Sequence, residues 1–285
     1  MSSMTARPRA GVRPLAGVRL GRRALLVVYS VIIVVPLAVV VFGSFKTQQQ
    51  LFADPYLPTL SPALSNYRTA LLGQGLARAL LNSALVTVAG VTLTLALASL
   101  AAFGIARIRG WISGAIFALL IVGMAIPAQA NMVPQRVLFE RIGLLDSLLG
   151  LVLINITVTL PVATFILTGF MKTLPTELYE ASSLDGAGNF RTFSSIVLPL
   201  SGPSLAATTI FLFVIQWNDL LYPLLLIQSP EKKTLPLALI GFQGEFLTNY
   251  PLLFTGVILS SLPIVIAYVL LQRQFVAGIT AGAGK

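Results

Sequence analysis

The sequence predicts an all-α, polytopic membrane protein with six transmembrane helices, and three observations carry that prediction. Hydrophobic residues fill 56% of the 285 positions and charged residues only 10%, whereas roughly a quarter of a soluble domain is charged. The apolar residues gather into six stretches, each long enough to cross a hydrocarbon layer, which takes roughly 20 residues. The basic residues fall mostly on one side of those stretches. A mean hydropathy of +0.90 agrees with this assignment.

The chain opens on a basic tail, residues 1–23, holding Arg7, Arg9, Arg13, Arg19, Arg22 and Arg23 directly before an apolar run. Such a cluster is a cytoplasmic flank beside anionic lipid. The run is too long for the core of a cleavable signal, and no small-x-small site closes it, so it reads as a retained span. The spans read as Ala24–Phe45, Leu80–Ile105, Trp111–Ala130, Leu148–Phe170, Ser204–Gln228 and Leu252–Leu271. Between the first two, the stretch from Lys46 to Arg78 contains Pro55, Pro58 and Pro62, which predicts extended backbone with a short helix at Asn66–Leu72. The connection from Asn131 to Ser147 includes "FERIGLLDS", an amphipathic surface segment, and Ser229–Tyr250 forms a third external loop. The transmembrane domain is therefore 24–272, followed by a cytoplasmic tail, 273–285, that is small-residued and flexible after Phe275.

An even number of spans puts both termini on one side. With the termini inside, the cytoplasmic cations are the six N-terminal arginines, Arg107, Arg109, Lys172, Arg191, Arg273 and Lys285, twelve in all. The outside set is Lys46, Arg68, Arg78, Arg136, Arg141, Lys232 and Lys233, seven in all. The asymmetry predicts N-in, C-in.

Several function classes are excluded or weakened. The net charge of +10 sits largely in the juxtamembrane cluster, so it points to a membrane surface and not to nucleic acid. There is no cysteine and no histidine, which removes disulfides, thiolate sites and imidazole acid–base chemistry. No metal site and no catalytic residue is expected. The near acid pairs, Glu177/Glu180 and Glu140/Asp146, lack a neighbouring His or Cys, which weakens a membrane enzyme acting on lipid-linked sugar. A single carboxylate inside a span and no visible inverted repeat weaken a secondary transporter.

One segment, residues 174–202, is unlike its surroundings. In "LPTELYEASSLDGAGNFRTFSSIVLPL", Pro175, Thr176 and Glu177 form a helix start, with an acid in the first turn where the macrodipole favours it. About two turns follow, to Leu184. Asp185-Gly186 stops them, because glycine accepts the left-handed conformation that ends helices. A second helix is expected from Asn189 to Val197, where Pro199 interrupts it. Leu178, Ala181 and Leu184 give the first helix an apolar face. Two short helices and a glycine turn on the cytoplasmic side look like a docking element; the plain alternative is a solvated connection.

The stretch resembles the EAA signature of bacterial ABC importer permeases, Glu-Ala-Ala, three residues, Gly, nine residues, Ile-x-Leu-Pro; here it reads Glu180-Ala181-Ser182, three residues, Gly186, nine residues, Ile196-Val197-Leu198-Pro199. Only Ser182 departs from it. "LPTELYEA", Asn82-Ser83, "QWNDLLYPLLL" at Gln216–Leu226 and "QRQFVAGITAGAGK" resemble the carbohydrate-uptake, maltose-permease-like branch, in particular its smaller six-span permease. The resemblance implies a coupling helix seated in a cytoplasmic ATPase subunit, with Glu177, Glu180, Ala181, Ser182, Asp185, Gly186, Ala187 and Pro199 as the ATPase-coupling residues. The chain itself has no Gly-x-x-x-x-Gly-Lys-Ser/Thr, so no cofactor is expected on it; ATP and Mg belong to partner ATPase subunits. The implied partners are two such subunits, a second homologous permease, an extracytoplasmic sugar-binding protein and membrane lipid. The implied place is a bacterial cytoplasmic membrane and the implied cargo a di- or oligosaccharide, with a polyol or osmolyte as the alternative. The C-terminal tail is a further candidate for the ATPase interface.

Polar groups at membrane depth are costly and mark candidate pathways. The fifth span carries Gln216, Trp217, Asn218, Asp219 and Tyr222, with Pro223 expected to kink it. An amide, a carboxylate, a phenol and an indole suit a sugar, whose hydroxyls take hydrogen bonds and whose ring face stacks on an aromatic. They equally suit mutual satisfaction around the kink, and for Trp217 packing fits better. Asn155, with Thr157, either lines a path or bonds a neighbouring helix. Asn82 and Ser83 suit a helix cap or interhelix contact as well as a path. Gly90, Gly104 and Gly123 read as close-packing positions.

Overall fold

The computed structural model describes residues 16–108, 110–242 and 249–283. Among them every regular element is helical. Arg7, Arg9, Arg13, Arg109 and Lys285, counted above for topology, lie outside the described residues. Helix α1 spans Ala16–Ser44, and α2, Gln48–Ala53, is closed by a capping box in which Thr47 and Gln50 serve each other's backbone amides. Helix α3, Ser65–Arg68, runs into a π turn at Thr69–Gly73, close to the short helix expected there. The long α4 covers Leu76–Arg107 and α5 covers Trp111–Met124. A 3₁₀ turn, Ala128–Asn131, leads to α6, Met132–Arg141, and then α7, Leu148–Met171. Three short helices follow: α8, Thr176–Leu184; α9, Asn189–Thr192; and, after a π turn at Phe193–Val197, α10, Leu198–Leu200. The remainder is α11, Gly202–Trp217, α12, Leu221–Leu226, a 3₁₀ turn, α13, Leu235–Ile240, and α14, Tyr250–Ala283.

Four helices are long and apolar enough to cross a membrane by themselves, in α1, α4, α7 and α14. The third and fifth expected spans are broken. Helix α5 has 14 residues, about 21 Å at 1.5 Å per residue, and the following Ala128–Arg141 segment turns away by 88°. Pro127 is the cause, since the residue before a proline is pushed out of the helical region. The fifth expected span stops at Trp217 and resumes at Leu221, and upstream it meets the preceding segment at 76°. The first expected span starts earlier, inside the basic tail, at Ala16. The tail expected to be flexible after Phe275 instead continues α14 as far as Ala283.

The bundle is organised around α4 and α7, which pack along their length, with α11 laid against both. Helix α14 covers α11, α1 covers α14, and α5 lies on α7. A cluster including Val91, Ala98, Phe103, Ala163, Leu167 and Leu212 fills the space where α4, α7 and α11 meet. Within this apolar packing runs one polar seam. Thr159 Oγ1 donates to the carbonyl of Asn155 at 2.6 Å, so it accepts from Gln216 Nε2 at 3.0 Å and from Thr94 Oγ1 at 3.3 Å. One hydroxyl thus ties three helices together. Gly90 makes room for it, because a Cβ there would run into Gln216 Oε1. Gly90 is therefore a close-packing position as expected. Gly104 and Gly123 are not, since nothing lies within 4 Å of a Cβ built at either.

The outermost helices are bare. Between Leu25 and Leu37, α1 exposes Leu25, Val27, Tyr29 and Ile32 by more than 60% each. A hydrophobic surface of that extent belongs in lipid or against another membrane subunit.

The polar seam gives a direct test. Thr159→Val keeps the shape but strands the Gln216 amide and the Thr94 hydroxyl, so it is expected to lower stability by about 1–2 kcal/mol. Thermal unfolding in detergent measures this, with Thr157→Val, whose exposed hydroxyl bonds only its own helix at Leu153, as the near-neutral control.

Candidate functional site

The connection from α7 to α11 forms a compact helix–turn–helix. Pro175 precedes α8 and Glu177 sits in its first turn. The helix ends in a Schellman turn: Ala187 N–H donates to the Ser182 carbonyl at 2.9 Å and Gly186 N–H to the Ser183 carbonyl at 3.1 Å. This geometry needs Gly186 at φ 74°, where an L side chain costs roughly 1–2 kcal/mol. The glycine stop is where the sequence puts it.

The second limb departs from expectation. Pro199 does not interrupt it; the chain passes through the π turn, whose Leu198 N–H reaches back to the Phe193 carbonyl, and continues to Leu200. The wider turn absorbs the proline ring and its missing donor one residue on. The bend comes later, at Ser201.

The expected apolar face of α8 is also split. Steps of three residues on a 3.6-residue helix drift by about 60° each, so Leu184 lies about 120° from Leu178. Leu178 is half-buried, while Ala181 and Leu184 face outward, Leu184 at 89% exposure. The outward surface is thus Glu177, Glu180, Ala181 and Leu184, extended by Phe190, which is 75% exposed. Asp185 is exposed and Ala187 half-buried at the turn. Ser182 points the other way. It is buried, donates to the Tyr179 carbonyl at 2.9 Å and meets the buried Thr192 hydroxyl at 3.0 Å. The one position that departs from the EAA pattern therefore fastens the two limbs to each other and faces no outside partner.

Beside α8 lies an open cleft of about 740 Å³ lined by Arg107, Lys172, Tyr179, Glu180 and Leu184. The Arg107 guanidinium stands 5.9 Å from the ring centres of both Phe103 and Tyr179. Burial pushes the Tyr179 phenol above its usual range, and the neighbouring Arg107 charge partly offsets this.

The second candidate region is the break between α11 and α12. Asp219 Oδ1 accepts the amides of Leu221 and Tyr222 at 3.0 and 3.4 Å, so it caps α12 and repairs the backbone ahead of Pro223. The expected kink is a full interruption for that reason. The polar residues expected to cluster here are divided among different neighbours. Trp217 is buried, stacks on Phe213 and donates its indole N–H to the Ser260 carbonyl of α14 at 3.0 Å. Gln216 turns to Thr159. Asn218 is exposed and bonds back to the Val214 carbonyl at 2.8 Å. Tyr222 is buried with its hydroxyl toward Gln135. Asn155, Gln216, Trp217 and Asp219 do share a cavity, but its volume is about 10 Å³, room for one water molecule and not for a sugar ring.

At the opposite end of α4 from Arg107, a clasp joins the connection before α7 to the one after α12. Asp146 adopts φ 52°. Its carboxylate accepts from the amides of Gln228 and Ser229 at 2.9 Å each, from Ser229 Oγ at 2.5 Å and from Lys232 Nζ at 3.0 Å. These hydrogen bonds, led by Ser229, hold the carboxyl well below the usual carboxylate range. Asn82 donates to the carbonyls of Glu231 and Lys233 at 2.9 Å each, and Ser83 Oγ accepts the amide of Leu235 at 2.8 Å. Asn82 thus sits against the connection after α12 and away from Asp219. Sequence reasoning passed over Thr94, Thr159, Arg107 and the Asp146 clasp. The helical spacing of Asn155 and Thr159 and of Thr87 and Thr94 was a usable signal for the first two; pairings such as Asp146 with Ser229 span 83 residues and left none.

Comparison with known proteins places the chain as a whole. Residues 90–280 match the family model described as binding-protein-dependent transport system inner membrane component. The chain is 36% identical over 261 residues, 91% of its length and 94% of the relative's, to a putative ABC transporter permease protein of Caldicellulosiruptor. It is 31% identical to the melibiose/raffinose/stachyose import permease of Bacillus subtilis, covering 88% of this chain and 91% of that one. It is 29% identical to the diacetylchitobiose uptake system permease of Streptomyces coelicolor, over 91% and 86%. In fold it is similar, with TM-score 0.81, 19% identity and coverage of 90% and 96%, to a chain of a bacterial ABC transporter involved in import of the acidic polysaccharide alginate.

The clasp generates a pH prediction. A depressed carboxyl stabilises the fold above its unfolded value near 3.9, and that contribution disappears only as pH falls through the lower folded value. Asp146→Asn tolerates the left-handed backbone but loses the charge. The melting temperature of this variant is expected to lie below that of the parent at pH 7 and to stay below it down to pH 4. Equal melting temperatures at pH 7 would remove the clasp's role.

Proposed function

The chain belongs to the family of binding-protein-dependent transport system inner membrane components, and from that premise we propose that it is the permease subunit of an ABC importer that carries a di- or oligosaccharide inward. It is a transport subunit and not an enzyme. The observation that carries the reading is the helix–turn–helix of residues 174–202, a compact element whose polar outward face includes Glu177, Glu180, Ala181 and Leu184. The saccharide cargo is supported by relatives whose names specify melibiose, raffinose, stachyose and diacetylchitobiose.

In this reading α8 is a coupling helix docked on a cytoplasmic ATPase subunit, and two such subunits bind the ATP and Mg. The two bent segments each complete a span, giving six, with both termini in the cytoplasm of a bacterium and residues 24–272 as the transmembrane domain. The bare apolar faces of the bundle meet lipid and a second, homologous permease. An extracytoplasmic binding protein delivers the sugar to the outer end, where the Asp146 clasp holds the loops. Nucleotide-driven closure pushes α8, and the membrane helices alternate between outward and inward openings. Asn218, exposed at the break in the fifth span, faces the path; Gln216, Trp217, Asp219, Tyr222 and Asn155 hold the shape of that break from behind.

Gly186→Pro tests the coupling role, because proline cannot adopt φ 74° and the Schellman turn is lost. The variant is expected to insert in the membrane and to assemble with its partner subunits, with uptake falling at least tenfold in vesicles and ATP hydrolysis no longer tied to it. Normal uptake by the assembled variant would sink the reading.

A further inference from the structure

We propose that Arg107 is a positioning residue that joins the coupling element to the second span, so that motion of α8 passes directly to α4. The proposal rests on the coupling role given above and names the route by which the motion leaves the loop. In sequence the loop connects α7 to α11, and those would be the obvious recipients. The ring contacts add α4 to them.

Both limbs of the loop converge on the last turns of α4. From the first limb, the Tyr179 ring lies 6.4 Å from Phe103. From the second, the Phe193 ring lies 5.3 Å from the same Phe103, and Phe190 is 6.5 Å from Phe193. Arg107, one turn beyond Phe103, completes the joint with its guanidinium equally near the Phe103 and Tyr179 rings, at 5.9 Å each. The Ser182–Thr192 hydroxyl pair ties the two limbs together, so a push on the outward face of α8 is shared between them.

The chemistry of the joint suits a moving part. Among the described residues Arg107 makes no salt bridge, and its guanidinium is held by ring faces. A cation over an aromatic face keeps its attraction through changes of angle and position that would break a directional hydrogen bond. The joint can therefore pivot without coming apart. At its other end α4 carries Asn82 and Ser83, which hold the outer loop. A single helix, Leu76–Arg107, thus runs from the coupling element to the clasped outer surface. Tyr179 contributes its ring and not its hydroxyl, which is buried without a partner.

The absence of cysteine allows a clean test in the full chain reconstituted with its partner subunits. Nitroxide labels at Ser183 on α8 and Leu81 near the outer end of α4, both exposed, report their separation by electron-spin distance measurement. In the parent the distance distribution is expected to stay narrow both without nucleotide and after trapping with ATP and vanadate. Arg107→Met is expected to broaden it roughly twofold and to lower uptake per ATP hydrolysed by about three- to tenfold, in keeping with the loss of a cation–ring contact. Arg107→Lys keeps a cation over the rings and is expected to restore the narrow distribution. Tyr179→Phe should behave as the parent and Tyr179→Leu as Arg107→Met, with the double variant no worse than either single one. If Arg107→Met does not assemble, the Tyr179 pair carries the same test. Parent-like distributions in Arg107→Met or in Tyr179→Leu overturn the proposal. Failure of α8 to bind an ATPase subunit would instead leave the nucleotide-free distances as described and remove only the coupling reading.

Discussion

The Thr159 hydroxyl, placed where three helices cross, is the contact on which the arrangement of this bundle depends. Apolar side chains alone do not fix the register of helices in a lipid-like surrounding, because lipid tails are as good a partner as leucine. A hydroxyl that donates once and accepts twice does fix it. Thr159 sets α7 against α4 through Thr94 and against α11 through Gln216, and Gly90 opens the gap that admits the amide. With those helices fixed, the break after Trp217, the cap by Asp219 and the loop beyond it fall into place.

Both ends of α4 are then put to use. At one end Asn82 and Ser83 grip the loop that Asp146 clasps from the other side. At the other, Phe103 and Arg107 receive the two limbs of the helix–turn–helix. A helix of 32 residues without a proline bridges them, about 48 Å long at 1.5 Å per residue. By contrast α1, α7 and α14 each contain an internal proline. Helix α4 is thus one unbroken element between the helix–turn–helix and the Asp146 clasp.

Much of this was legible in the sequence where the signal is local. The helix start at Pro175, the stop at Gly186 and the long apolar runs of α4 and α7 depend on neighbours a few residues away. Broken helices were harder to read, because hydropathy sees the apolar run from Trp111 to Ala130 and not the turn that Pro127 imposes. The Pro199 and Pro223 readings failed in degree for the same reason: a π turn and an aspartate cap redistribute the strain of a proline in ways that composition does not encode. The polar residues of the fifth span looked like one site because they are adjacent in sequence. They separate because the helix ends between them, sending Trp217 to α14, Gln216 to α7 and Tyr222 toward α6. Ser182, a departure from the EAA pattern, became intelligible once Thr192 was seen across from it.

Hydrogen exchange of the whole chain, with and without the ATPase subunit proposed to dock on α8, tests the central claim most directly. The account predicts that amides of residues 176–192 gain protection on complex formation, while those of the loop at 228–235 exchange as before. Unchanged exchange across 176–192, with protection appearing on another surface, would contradict it.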